Sequence, residues 1–290
     1  MLTRIYLITL LFLICRPAFS NGLTISDIIP DHAEQACVDI SNKLASVTLD
    51  ECTQRKLQTS NHVSFKQRPL LIKEYPPLLN KRKPQAKILL LGGIHGDEYS
   101  SVTIMFKWMR ILDKYHSGLF HWKVAPLVNP DGLLQKKSQR MNANGVDLNR
   151  NFPNISKPHA SLEYWKTRAY SDARRYPGPA PTSEPESQWI VKLIKEFKPD
   201  VIVAVHAPFG IVDFDGPPKP PSSLGSLHLK LLGTYPGSLG NYAGIQQKIP
   251  VVTVELPHAG IMPSNREVNR IWIDLIKWLR NHTPVKKLQD

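Results

Sequence analysis

Cysteine, long apolar runs and acidic charge are all scarce in this 290-residue chain, and each shortage removes a class of protein. The first apolar run, Ile5 to Cys15, holds about 11 residues where a membrane-spanning helix needs about 20, which argues against a retained anchor. With Arg4 before it and Ala18-Phe19-Ser20 after it, residues 1–20 read as a secretory signal peptide. Ile14 is too large for the small residue that usually precedes a lipidated cysteine, so Cys15 is not expected to carry a lipid. The expected location is therefore exported, periplasmic or secreted, with no stable membrane anchor after cleavage. Cleavage leaves two cysteines, Cys37 and Cys52, neither in a setting that suggests catalysis. In an oxidising compartment they predict one disulfide.

Acidic residues number 24 against 37 lysines and arginines, a net charge of +13. The basic residues are scattered and interleave with no aromatic nucleic-acid module, so nucleic acid is not an expected partner. For an exported protein, anionic cell-wall polymer suits that charge better. No internal repeat or low-complexity tract occurs, only a Pro-rich loop, "DGPPKPPSS".

What is present is an alternation of buried-looking strands and amphipathic helices. "AKILLLGGIHG" and "DVIVAVHA" read as strands with both faces covered, as does "IPVVTVELP", while "FHWKVAPLVNPDG" reads as a strand and turn. "SVTIMFKWMRILDKY", "ESQWIVKLIKEFKP" and "SNREVNRIWIDLIKWLRNH" read as helices, the last with Ser264 or Asn265 as N-cap. The expected fold is α/β, a mixed, largely parallel twisted sheet flanked by helices. The expected division is a signal peptide at 1–20, an N-terminal extension with the disulfide at 21–66, and a catalytic domain at 67–290.

The chemistry sits at strand ends, where open α/β sheets place ligands. His95 and Glu98 follow one strand at a spacing of three, which lets both face one point if the chain begins to turn helically there. His206 ends another strand and is the candidate third ligand. Two histidines and a carboxylate bind zinc with a position left for water. Glu255 ends a third apolar strand, an unlikely place for a merely solvated acid.

Joined by "NPDG" (129–132), "QRMNANGVDLNRNFP" (139–153) and "TVEL" (253–256), these segments resemble the zinc metallocarboxypeptidase (funnelin) family over nearly all of Arg68 to Arg280. Within it, "RPLLIKEYPP", "GGIHGDE", "NANGVDLNRNFP" and "HAPFGIVDFDGP" are similar to the murein peptide amidase branch. The resemblance implies a carboxypeptidase-like fold and one zinc per chain on His95, Glu98 and His206, with Glu255 as general base and then general acid. It implies Arg140 as the group polarising the scissile carbonyl, Asn149 and Arg150 as holders of the substrate's free carboxylate, and Tyr235 as a candidate for the mobile active-site tyrosine. Asp147 and Arg150 could instead form an ordinary loop ion pair. His121, His159, His228 and His258 are expected to be non-ligands.

Ala207 stands where the digestive members commonly carry serine, and "FGIVDFDGPPKPP" replaces their pocket segments, so ordinary C-terminal specificity is not expected. The branch implies a peptidoglycan-derived peptide substrate cut between γ-D-glutamate and meso-diaminopimelate. Asp213 or Asp215 could then meet the diaminopimelate ammonium, or both could cap a surface turn. Alternative readings are a small-amino-acid deacylase of the aspartoacylase or succinylglutamate desuccinylase kind, a general carboxypeptidase, and an inactive cell-wall binding module.

Overall fold

A computed structural model describes residues 32–78 and 83–283; the signal peptide expected at 1–20 lies outside the described residues. Helices α1 (His32–Lys43) and α2 (Leu49–Thr53) come first, followed by the antiparallel strands β1 (Gln58–Val63) and β2 (Pro69–Tyr75). Cys37 and Cys52 are disulfide-bonded with Cα atoms 5.5 Å apart. Both cysteines are buried with Ile40, Leu44 and Val47 in the same apolar cluster as Trp108 and Leu275. From His32 onward, the expected extension thus shares its core with the rest of the chain.

The central elements are β3 (Ala86–Leu91), α3 (Tyr99–Tyr115), β4 (Phe120–Ala125), α4 (Pro130–Leu133), α5 (Ala160–Thr167), α6 (Pro185–Phe197) and β5 (Val201–His206). Strands β6 (Ile211–Asp215), β7 (Ser223–Leu224), β8 (Leu227–Leu229) and β9 (Val251–Glu255) follow, and α7 (Asn265–His282) closes the fold. The sheet has nine strands in the order β1-β2-β4-β3-β5-β9-β6-β8-β7. β4, β3, β5 and β9 run parallel; outside them the pairs are antiparallel except β6 with β8, which is parallel.

The strands read as continuous apolar runs because both faces are covered. Ile88 and Leu90 of β3 join the core beneath α3 and α7, whereas Leu89 and Leu91 join the core beneath α6. Val203 and Val205 of β5 go to the first core, and Ile202 and Ala204 to the second. On α7, Val268, Ile271, Trp272, Leu275 and Leu279 recur at the helical period and are buried. Ser264 caps that helix by accepting from the Glu267 amide.

One segment departs from expectation. "HAPFGIVDFDGP" is no surface turn: Gly210, at φ +67°, turns the chain back so that β6 pairs antiparallel with β9. This sets Asp213 and Asp215 on a strand of the sheet. The alternative that they merely cap a turn is thereby corrected.

Candidate metal centre and its cavity

The carboxyl ends of β3, β5 and β9 lie side by side, and each delivers one part of the site. After β3 the chain turns through Gly93 (φ +60°), where a Cβ would stand 2.7 Å from Val102 Cγ2. At Gly96 a Cβ would overlap the backbone of Gly132 and Leu133, so the NPDG turn presses directly on the ligand loop. Asn129 ties that contact together. Its Oδ1 accepts from Gly132 N at 2.8 Å, and its amide donates to the carbonyls of Ile94 and Arg140 at 3.3 and 3.1 Å.

His95, Glu98 and His206 converge, with one donor atom from each lying within 4.8 Å of the others, and all three are buried. Glu98 Oε1 lies 2.7 Å from His95 Nδ1, and Oε2 lies 3.0 Å from His206 Nδ1. The two Nδ1 atoms are 3.1 Å apart. Burial alone would raise the Glu98 carboxyl, but His95 and His206 outweigh it and hold the group well below the ordinary range.

Asp147 selects the tautomer. His95 Nε2 sits 3.2 Å from Asp147 Oδ1, so an Nε2–H donor there leaves the Nδ1 lone pair facing the cluster. Asp147 Oδ2 accepts from Arg140 Nε at 2.9 Å, and Arg140 Nη1 stands 3.7 Å from Glu98 Oε1. Burial opposes the Asp147 charge, yet Arg140 and His95 keep its carboxyl well below the usual range. Two imidazole nitrogens and a carboxylate facing inward, with a carboxylate fixing one ring from behind, form a donor set that fits zinc.

His206 and Glu255 are register partners on β5 and β9. Glu255 is buried and its Oε2 has no hydrogen-bond partner among the described residues. Burial pushes its carboxyl above the ordinary range, Glu98 adds to that, and His206 opposes it. Such a group holds or releases a proton readily, which suits a shuttle.

His95, Glu98, Arg140, His206 and Glu255 open into one cavity of about 440 Å³, which Asn149, Arg150, Tyr235, Asp213 and Asp215 also line, while Asp147 lies buried behind them. Arg150 forms no ion pair within 4.0 Å among the described residues, so Asp147 is paired with Arg140 and not with its DLNR neighbour. The Arg150 guanidinium lies 4.5 Å from the Tyr235 ring centroid and donates to the Asn149 carbonyl. Burial lowers its pKa. Asn149 Oδ1 accepts from Leu239 N at 2.9 Å, joining the Asn149-Arg150 pair to the loop that carries Tyr235. Asp213 Oδ1 accepts from Leu232 N at 3.0 Å. Asp215 packs against Gly240, where any Cβ would collide with its Oδ2. Burial and the Asp213 charge push the Asp215 carboxyl up to about 6.

The sequence did not single out Asp147 as a partner of His95, nor the carboxylates beneath the NANG loop. Asn142 donates to Glu184 and Glu186 at 2.8 and 3.2 Å, and Asn144 also reaches Glu184. A conspicuous clue was the run of asparagines in "MNANG", amides that need buried acceptors once folded. His121 lies outside the cluster and pairs with Glu74 at 2.6 Å. His159, His228 and His258 are also not among the converging donors.

Comparison with known proteins agrees with this geometry. The family model described as "Zinc carboxypeptidase" matches residues 56–209. Murein peptide amidase A of Escherichia coli K12 is 32% identical over 201 residues, covering 66% of this chain and 79% of that protein. The Vibrio campbellii murein peptide amidase A is 30% identical over 176 residues, covering 58% and 68%. Among solved structures, the murein-tripeptide amidase of Escherichia coli O157 superposes with a TM-score of 0.54 at 26% identity, covering 77% of this chain and 91% of that one. Bovine thrombin-activatable fibrinolysis inhibitor shares the fold at a TM-score of 0.60 and 17% identity, covering 80% and 92%.

Proposed function

The chain belongs to the zinc carboxypeptidase family and is a metallopeptidase hydrolase, and from that premise we propose that it is an exported enzyme cleaving muropeptides between γ-D-glutamate and meso-diaminopimelate. The observation that carries this reading is the charge pattern of the cavity. Arg150, a half-buried cation without a carboxylate partner within 4.0 Å, lines the same cavity as Asp215, a half-buried carboxylate on β6 with no ion-pair partner within 4.0 Å among the described residues. A diaminopimelate residue offers a carboxylate next to the cut bond and an ammonium farther along its side chain. Each would meet its opposite, and buried charges are retained where they are paired.

His95, Glu98 and His206 would hold one zinc ion, which supplies Lewis acidity to the attacking water and the scissile carbonyl. Glu255 takes the proton from that water and passes it to the departing amine of diaminopimelate, alternating base and acid. Arg140, anchored by Asp147, presents Nη atoms to the negative charge that grows on the carbonyl oxygen. Asn149 and Arg150 hold the free carboxylate, with Tyr235 against the guanidinium. The disulfide supports export. No helix among the described residues is long and apolar enough to cross a membrane.

Incubation of the purified protein with muropeptides of defined stem length, followed by mass spectrometry, tests the reading. The tripeptide L-alanyl-γ-D-glutamyl-meso-diaminopimelate should yield L-alanyl-D-glutamate and free diaminopimelate. Intact tripeptide, with cleavage instead of ordinary L-peptides ending in apolar residues, would overturn it.

A further inference from the structure

The rim of the cavity carries a second pair of cations that the reaction above leaves unused. Ala173–Arg175 form a short 3-10 turn, capped by Asp172 Oδ1, which accepts from Arg174 N at 2.9 Å. The turn is attached to the heart of the site, because the next residue, Tyr176, accepts from Asp147 N through its carbonyl at 2.8 Å. Trp165 packs on the Tyr176 ring at 5.0 Å between centroids and donates to the Asp172 carbonyl, which steadies the loop from outside.

The two arginines are differently committed. Arg174 Nη2 donates to Asp97 Oδ2 at 2.5 Å, clasping the segment that carries His95 and Glu98. Arg175 reaches its nearest carboxylate, Asp172, only at 3.6 Å, and its side chain is 56% exposed. It lines the same cavity as Arg150, close enough that its charge disfavours the Arg150 cation. Two under-neutralised guanidiniums facing one cavity repel each other until anions fill it. A planar fork at the rim is suited to a carboxylate and, being half exposed, sacrifices little solvation when one arrives.

We propose that Arg175, on a turn clasped in place by Arg174, binds a second substrate carboxylate beyond the one held by Arg150. This rests on the muropeptide reading. A γ-linked glutamate keeps its α-carboxylate free, four bonds from the scissile carbonyl carbon and on the order of 5 Å away when extended. Diaminopimelate offers its distal carboxylate on the other side of the cut. An ordinary α-linked L-peptide with an apolar terminus presents neither. The rim therefore adds selectivity for the cell-wall linkage to the choice already made deeper in the cavity.

Three tripeptides test this with the whole protein: the acid form, the analogue whose glutamyl α-carboxylate is a carboxamide, and the analogue ending in lysine, which keeps the ammonium and loses the distal carboxylate. For the wild type, removal of the carboxylate that Arg175 reads should lower kcat/KM about tenfold, and the analogue that suffers identifies the source. Arg175→Gln should cleave the acid form and that analogue at nearly equal efficiency, and Arg175→Lys should fall between, since it keeps the charge without the fork. Equal wild-type efficiency on all three peptides, or an Arg175→Gln loss of the same size on each, would overturn the assignment while leaving the muropeptide reading intact. A wild type inert towards all three removes the muropeptide reading and this assignment with it.

Discussion

His206 and Glu255 face each other as register partners at the carboxyl ends of adjacent parallel strands, β5 and β9. The proposed ligand and a carboxylate whose Oε2 has no hydrogen-bond partner among the described residues are thereby held side by side by the sheet, with no loop between them. Metal binding and proton transfer should separate on mutation. His206→Ala should lose both zinc and activity, whereas Glu255→Gln should keep about one zinc per chain and lose roughly 10²- to 10⁴-fold in turnover. Metal analysis beside a muropeptide assay decides this, and a fully active Glu255→Gln protein would sink the proton shuttle.

Asp215 should make stability fall with rising pH. Its carboxyl is pushed up from 3.8 to about 6 by burial and by Asp213, so between these values the folded chain keeps a proton that the unfolded chain has released. The cost is absent below about pH 4 and complete above about pH 6. Asp215→Asn should therefore stabilise the protein at pH 8, by about 1 kcal/mol once access of water from the cavity is allowed for, and do little at pH 4. The same variant should cleave the diaminopimelate peptide less efficiently. Thermal unfolding at both pH values provides the check, and an equal shift at each would contradict the assignment.

The disulfide closes a loop with a sequence separation of 15 beneath α3. In the chain-entropy model such a loop stabilises the fold by about 3 kcal/mol. Replacing both cysteines by serine should lower the unfolding midpoint accordingly. Titration of the denatured, unreduced protein should find no free thiol at Cys37 or Cys52.

Arg150 should read the free carboxylate beside the scissile bond. Arg150→Ala is expected to lower kcat/KM on the acid tripeptide by about 10- to 100-fold, and to leave a peptide amidated at that carboxylate nearly unaffected. Parallel losses on both peptides would indicate a structural role instead.

Local pattern was enough for much of this protein. The central strands were legible because strands covered on both faces must be apolar throughout, as Ile88 to Leu91 and Val201 to Val205 are. His95, Glu98, His206 and Glu255 stood out because polar side chains at the ends of such runs need a reason to be there. Cys37 and Cys52, the two cysteines left once the expected signal peptide is set aside, offered a single intramolecular pairing. Tertiary structure decided what depends on residues far apart in the chain. Asp147 meets His95 across 52 positions, Asn142 meets Glu184 across 42, and Arg174 meets Asp97 across 77. Asp215 became a wall of the cavity only because β6 folds back on β9 and Gly240 leaves room for its carboxylate. Strand and helix periods report which face of one element is buried, but the partner of a buried charge is chosen by where the sheet brings other elements, and that choice leaves no periodic mark in the sequence.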